Sequence, residues 1–98
     1  MKFEWDETKR SSNIQKHGID FKEAHEIFKN PIRINLDNRF DYGEVRYIGL
    51  GITQNNIVVI AFTESEEETI RVISIRKATK NERKIYEKFL SNRLGSNK

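Results

Sequence analysis

Cysteine is absent from this sequence, and proline, tryptophan and methionine occur once each. Without a thiol there can be no disulfide staple, no thiolate zinc site and no cysteine nucleophile. Two histidines remain, His17 and His25. Far apart and without tightly spaced acids, they make a poor metal set, so neither a metal nor another cofactor is expected. No apolar run approaches the ~20 residues that span a bilayer. The opening MKFEWDETK carries acids and aromatics where a secretory leader carries cations and a long apolar stretch. A cytoplasmic protein with no membrane partner is the expectation.

What is present suits one small domain over residues 1–98, with 93–98 expected to fray. Hydrophobic residues make up 36% and charged residues 34%, with six Phe, three Tyr and one Trp. That is polar, yet enough to build a modest core. The net charge is only +3, so its placement matters more than its total. Glu64–Glu68 (ESEEE) holds four acids, whereas Arg71–Lys88 holds seven Lys or Arg against two Glu. This separation makes one surface positive and favours a polyanionic partner, RNA or DNA.

Residues 2–5 read as a short strand with Phe3 and Trp5 on one face. Asp6 then caps a polar helix that Gly18 ends. A second helix opens at Asp20, with Glu23 at capping-box spacing. It buries Phe21, Ala24, Ile27 and Phe28 on one stripe and stops at Asn30-Pro31. The period then becomes two. Strands are expected over 32–36, 44–52, 57–63 and 69–76, joined by turns at 37–43, 54–56 and 64–68. Thr79 and Glu82 form a second capping-box signature, opening a last helix to about Asn92 with Ile85, Tyr86, Phe89 and Leu90 inward. The class is α+β: a short N-terminal strand, two helices, a four-stranded antiparallel meander and a C-terminal helix.

Several polar groups could carry chemistry. Glu44 and Arg46 share a strand face by the two-residue period, as do Ser74 and Arg76, while Arg71 shares its face with Ile73 and Ile75. His17 ends the first helix beside Lys16. If these groups converge, the set suits metal-free RNA cleavage. Glutamate or histidine takes the 2′-OH proton, and arginines neutralise charge growing on the phosphate. The plainer alternatives are a surface salt bridge for Glu44–Arg46 and a helix C-terminal cation for His17. Lys77, Lys80 and Arg83 gather at the strand–helix joint, where they either steer RNA or face solvent. Tyr42, Tyr47 and Tyr86 could stack on bases, although Tyr86 reads as core. Gly49 and Gly51 form no phosphate-binding motif.

Together, FEWD at 3–6, Asn13, KHGI at 16–19, Phe21, Ala24, Phe28 and Pro31, then GE-x-R at 43–46, R-x-I-S-x-R-K-A-T at 71–79, Glu82 and Tyr86, resemble the BrnT family of bacterial type II toxins. The resemblance implies a RelE-like fold and a metal-independent endoribonuclease that inhibits translation. It also implies neutralisation by a BrnA-type ribbon-helix-helix antitoxin, through which alone operator DNA would be bound, and it allows a dimer within that complex. His17, Glu44, Arg46 and Arg76 carry over as catalytic candidates, with Lys16, Arg71 and Lys77 as RNA-binding companions. The acidic ESEEE departs from the basic or glycine-containing turn usual there, so it either points away from RNA or lowers activity. A non-catalytic module that binds nucleic acid or regulates an operon is the rival reading.

Overall fold

The computed structural model describes residues 1–95. Strand β1 (Lys2–Glu4) leads into helix α1 (Glu7–His17), and a 3-10 turn (Phe21–Glu23) runs into α2 (Ala24–Lys29). Strands β2 (Arg33–Leu36), β3 (Tyr47–Thr53), β4 (Asn56–Glu66) and β5 (Thr69–Lys77) follow, then α3 (Lys80–Gly95). The five strands lie in the order β1-β5-β4-β3-β2. β2 to β5 form the expected antiparallel meander, and β1 joins β5 in parallel.

Local chemistry fixes most boundaries. Asp6 accepts the N–H groups of Thr8 and Lys9 at the start of α1. Gly18 ends it in the left-handed region (φ +69°), donating to the Ile14 carbonyl at 2.8 Å. Gln54 and Asn55 both take positive φ, making the tight β3–β4 hairpin. Four boundaries differ from the sequence expectation by more than one residue. Asp20 accepts from Lys22 N–H, but Glu23 turns to the Thr53 hydroxyl (2.6 Å), so no reciprocal box forms and the chain makes a 3-10 turn before α2. β3 begins at Tyr47 rather than Glu44, because Gly43 (φ +73°) and the side-chain bonds of the preceding loop hold Glu44–Arg46 out of the strand. β4 runs through Glu66, leaving only Glu67-Glu68 to turn. α3 continues through Arg93 to Gly95; the rest of the frayed tail expected at 93–98 lies outside the described residues.

The sheet is covered unequally. On one face Phe21, Ala24 and Ile27 pack on Val58, Ile60, Phe62, Val72 and Ile75. A Cβ on Gly51 would stand 2.8 Å from Ile27, and one on Gly49 would stand 2.8 Å from Ile32. These glycines therefore let α2 and its exit segment sit close on β3. On the other face α3 covers Leu50 and Val59 with Tyr86, whose hydroxyl donates to the Pro31 carbonyl at 2.7 Å.

β5 holds two features that pattern alone did not give. Its outer edge meets β1 only over Thr69–Arg71. Farther along, α1 lies against it. The buried Asn13 amide donates to the carbonyls of Ile75 (2.8 Å) and Ile19 (2.9 Å), and its oxygen accepts Ile75 N–H (3.1 Å). One side chain thus completes a strand edge that a helix backbone cannot pair. Ala61 opposes Ser74 while Phe62 opposes Val72, so Ile73 is a bulge. The bulge reverses the alternation, and Arg71 does not share the face of Ile75. It stands opposite Thr63 on the side away from α2, paired with Glu4 at 3.3 Å.

Candidate active site

The part of the sheet that α3 leaves uncovered forms the floor of a cleft of about 320 Å³. Ile48, Ala61, Ser74 and Arg76 face into it, Asp37, Asn38 and Arg39 wall one side, and Glu82 at the start of α3 borders the other. Arg76 sits at the end of β5 with a fixed direction. Its Nη1 and Nη2 reach the two Glu82 oxygens at 2.8 and 2.9 Å. Glu82 also accepts Thr79 N–H at 2.8 Å, and Thr79 Oγ1 accepts Glu82 N–H at 3.2 Å. The capping box expected at Thr79–Glu82 is therefore formed, and its acid also aims the arginine.

These pairs set charge states. Hydrogen bonds from Arg76 lower the Glu82 carboxyl from 4.5 to about 2, and Glu82 in turn raises the Arg76 guanidinium. Asp20, bonded twice by Arg10 at 2.8 Å, falls from 3.8 to about 2 by the same cause. Carboxyls depressed in the folded state stabilise it above their ordinary range, and that stability is lost as pH falls toward their folded values. The thermal midpoint is therefore expected to drop progressively between about pH 4.5 and 2. A double replacement, Asp20→Asn with Glu82→Gln, should flatten the decline in calorimetric scans, and an unchanged slope would refute the assignment.

A second hollow of about 200 Å³ opens beside the first, lined by Lys9, Ser12, Lys16, His17, Ile73 and Ser74. Ser74 borders both hollows, so the end of α1 and the Arg76 cleft lie on either side of this one residue. Lys16 and His17 are exposed there.

Glu44 and Arg46 stand on the loop between β2 and β3 and do not line the Arg76 cleft. They form the ion pair that spacing allowed, at 3.1 Å. Arg46 precedes the first β3–β4 pair, Tyr47–Phe62, and the loop meets β4 through the Thr63 hydroxyl, which donates to the Val45 carbonyl at 2.6 Å. Lys77, Lys80 and Arg83 are exposed around the start of α3 and line neither hollow. Of the tyrosines, Tyr47 stacks on Phe62 and Tyr86 is core, so both are committed to packing. The acidic stretch lies at the opposite end of β5, by Met1 and Lys2, roughly 20 Å from Arg76 at about 3.3 Å per residue. Glu64 faces the α2 side, away from the cleft.

The loop that walls the cleft is more ordered than its turn-rich sequence suggests. Asp37 is its hub. It accepts Arg39 Nε (2.8 Å) and Nη2 (3.0 Å) and the Tyr42 hydroxyl (3.0 Å), and its own N–H donates to the Arg46 carbonyl (2.8 Å). Those bonds hold its carboxyl well below the usual range. The Arg46 guanidinium lies 4.0 Å from the Tyr42 ring centre, a cation–π contact. Asp37 and Arg39 were not among the candidates drawn from sequence. The only local signal was their two-residue spacing, which is common in turns. Among the described residues no cluster of three or more His, Asp or Glu could hold a metal ion, and no helix is long and apolar enough to cross a membrane.

The open sheet face carries Arg71, Ser74 and Arg76, with Lys16 and His17 beside it at the end of α1, in a small α+β domain. The family described as "Ribonuclease toxin, BrnT, of type II toxin-antitoxin system" matches residues 5–82. The 1.1 Å crystal structure of the Brucella abortus ribonuclease toxin, BrnT, is 32% identical, with a TM-score of 0.63 over 82% of this chain and 99% of that one. No curated protein matches. The chain belongs to the BrnT family of ribonuclease toxins of type II toxin-antitoxin systems.

Proposed function

We propose that this protein is a metal-independent endoribonuclease that arrests translation by cutting RNA and is neutralised by a BrnA-type ribbon-helix-helix antitoxin. The 2′-OH oxygen attacks the adjacent phosphorus while the P–O5′ bond breaks, giving a 2′,3′-cyclic phosphate and a 5′-OH. Arg76 bonds the non-bridging oxygens, where charge grows in the transition state. Proton transfer falls to His17 and Glu44, one taking the 2′-OH proton and the other supplying one to the leaving oxygen; His17 lines the adjoining hollow, whereas Glu44 lines neither hollow and must reach the phosphate from the β2–β3 loop. Lys16, Arg46 and Arg71 hold flanking phosphates. Lys77, Lys80 and Arg83 act at longer range, steering RNA toward the site. The observation that supports this assignment is Ser74, which borders both the His17 hollow and the Arg76 cleft. Imidazole and guanidinium can thereby serve one phosphate.

The reading is tested by incubating the purified protein with single-stranded RNA in EDTA and analysing the product ends. Cyclic phosphate and 5′-OH ends are expected, with no cutting at 2′-deoxy positions. Cleavage that needs added divalent metal, or that leaves 5′-phosphates, would sink the mechanism. Binding without products would favour the rival, a non-catalytic nucleic-acid module.

A further inference from the structure

Arg39 lines the same cleft as Arg76 but comes from the other side of the sheet, on the loop after β2. The two are close enough that the charge of Arg39 opposes that of Arg76. Each is held by its own carboxylate, Asp37 or Glu82. The exposures of the Arg39 pair are lopsided: the Asp37 side chain is 4% exposed and the Arg39 side chain 67%. Asp37 takes the Nε and Nη2 edge and the Tyr42 hydroxyl lies against the same guanidinium, while Nη1 makes no bond to Asp37. Arg76 uses both terminal nitrogens on Glu82 and keeps Nε–H in reserve. Both guanidiniums can therefore donate to an incoming anion without releasing their carboxylates.

We infer that Arg39 is a second phosphate-binding residue of this cleft, gripping with Arg76 a single RNA phosphate above Ser74. The pairing with Asp37 fixes the orientation of Arg39 in advance, so little rotamer freedom is lost on binding. The inference rests on the ribonuclease reading and adds a residue to its site. Tyr42 gives a control, since it bonds the same Asp37 but carries no charge.

The test uses a 2′-O-methyl RNA oligonucleotide, which has no free nucleophile and cannot be cut. Binding is measured over a salt series for wild type, Arg39→Ala, Arg39→Lys and Tyr42→Phe. Arg39→Ala is expected to weaken binding about tenfold and to lower the salt slope by about 0.7, the contribution of one phosphate contact on a single strand. Arg39→Lys should keep the slope while losing part of the affinity, and Tyr42→Phe should match wild type. Unchanged affinity and slope in Arg39→Ala overturn the inference, as does an equal loss in Tyr42→Phe, which would assign the effect to loop order. If wild type cleaves ordinary RNA while Arg39→Ala behaves normally, the inference alone fails. No binding by wild type defeats both the inference and the ribonuclease reading.

Discussion

Arg76→Ala is expected to lower RNA cleavage about 10²–10³-fold, the usual cost of removing one donor aimed at transition-state charge. The loss should fall mainly on kcat, because the charge that Arg76 meets is greatest in the transition state. Folding should suffer far less. Thr79 and Glu82 keep their reciprocal bonds without the arginine, so α3 still starts at the same place. Arg76→Lys should recover part of the rate, since an ammonium keeps the charge but cannot make the two parallel bonds to Glu82. Single-turnover cleavage, with a thermal melt on each variant, checks the expectation. A tenfold or smaller loss in a well-folded Arg76→Ala protein would remove Arg76 from the centre of the mechanism.

Asn13→Ala is expected to be the most destabilising single replacement of a polar residue. It deletes three hydrogen bonds at once, to Ile75 N–H, Ile75 C=O and Ile19 C=O, in a buried place. Leaving those groups unpartnered should cost about 3–5 kcal/mol, a large share of the roughly 5–15 kcal/mol that holds a domain folded. The melting midpoint should fall by more than about 10 °C. Asn13→Asp is a sharper probe. It can still accept Ile75 N–H, but it turns a donor into an acceptor against two carbonyls, so it should be no better than alanine. Urea titration distinguishes these outcomes, and a loss below about 1 kcal/mol for Asn13→Ala would mean that water replaces the amide.

Because caps are local chemistry, they were legible. Asp6, Gly18 and the Thr79–Glu82 pair act within four residues of themselves, and all three boundaries stand where the sequence put them. Alternation likewise gave the meander and the two faces of β3. What failed was what depends on distant partners. Glu23 stood at capping spacing from Asp20, but Thr53, thirty positions on, holds its side chain. The face of Arg71 could not be read from alternation, because the bulge at Ile73 arises only against Phe62 and Ala61 on β4. Asp37 and Arg39 looked like ordinary turn residues, since their order depends on a loop closing on itself. At the candidate site, sequence brought forward His17 and Arg76, which line neighbouring hollows that Ser74 borders on both sides, and Glu44–Arg46, which stand one loop away.

The bulge at Ile73 has a further consequence for β5. Arg71 and Arg76 are an odd number of residues apart, so a regular strand would send them to opposite sides of the sheet. The bulge works as a half-period phase shift. It lets one strand supply Val72 and Ile75 to the core while both arginines face away from α2. Deleting Ile73, the extra residue, would restore regular pairing with β4 and leave Val72 and Ile75 on the core face and both arginines opposite it. A one-residue change that kept the bulge would instead drive Arg71 into the apolar layer or Ile75 out of it, so this segment accepts only one of the two changes in its length.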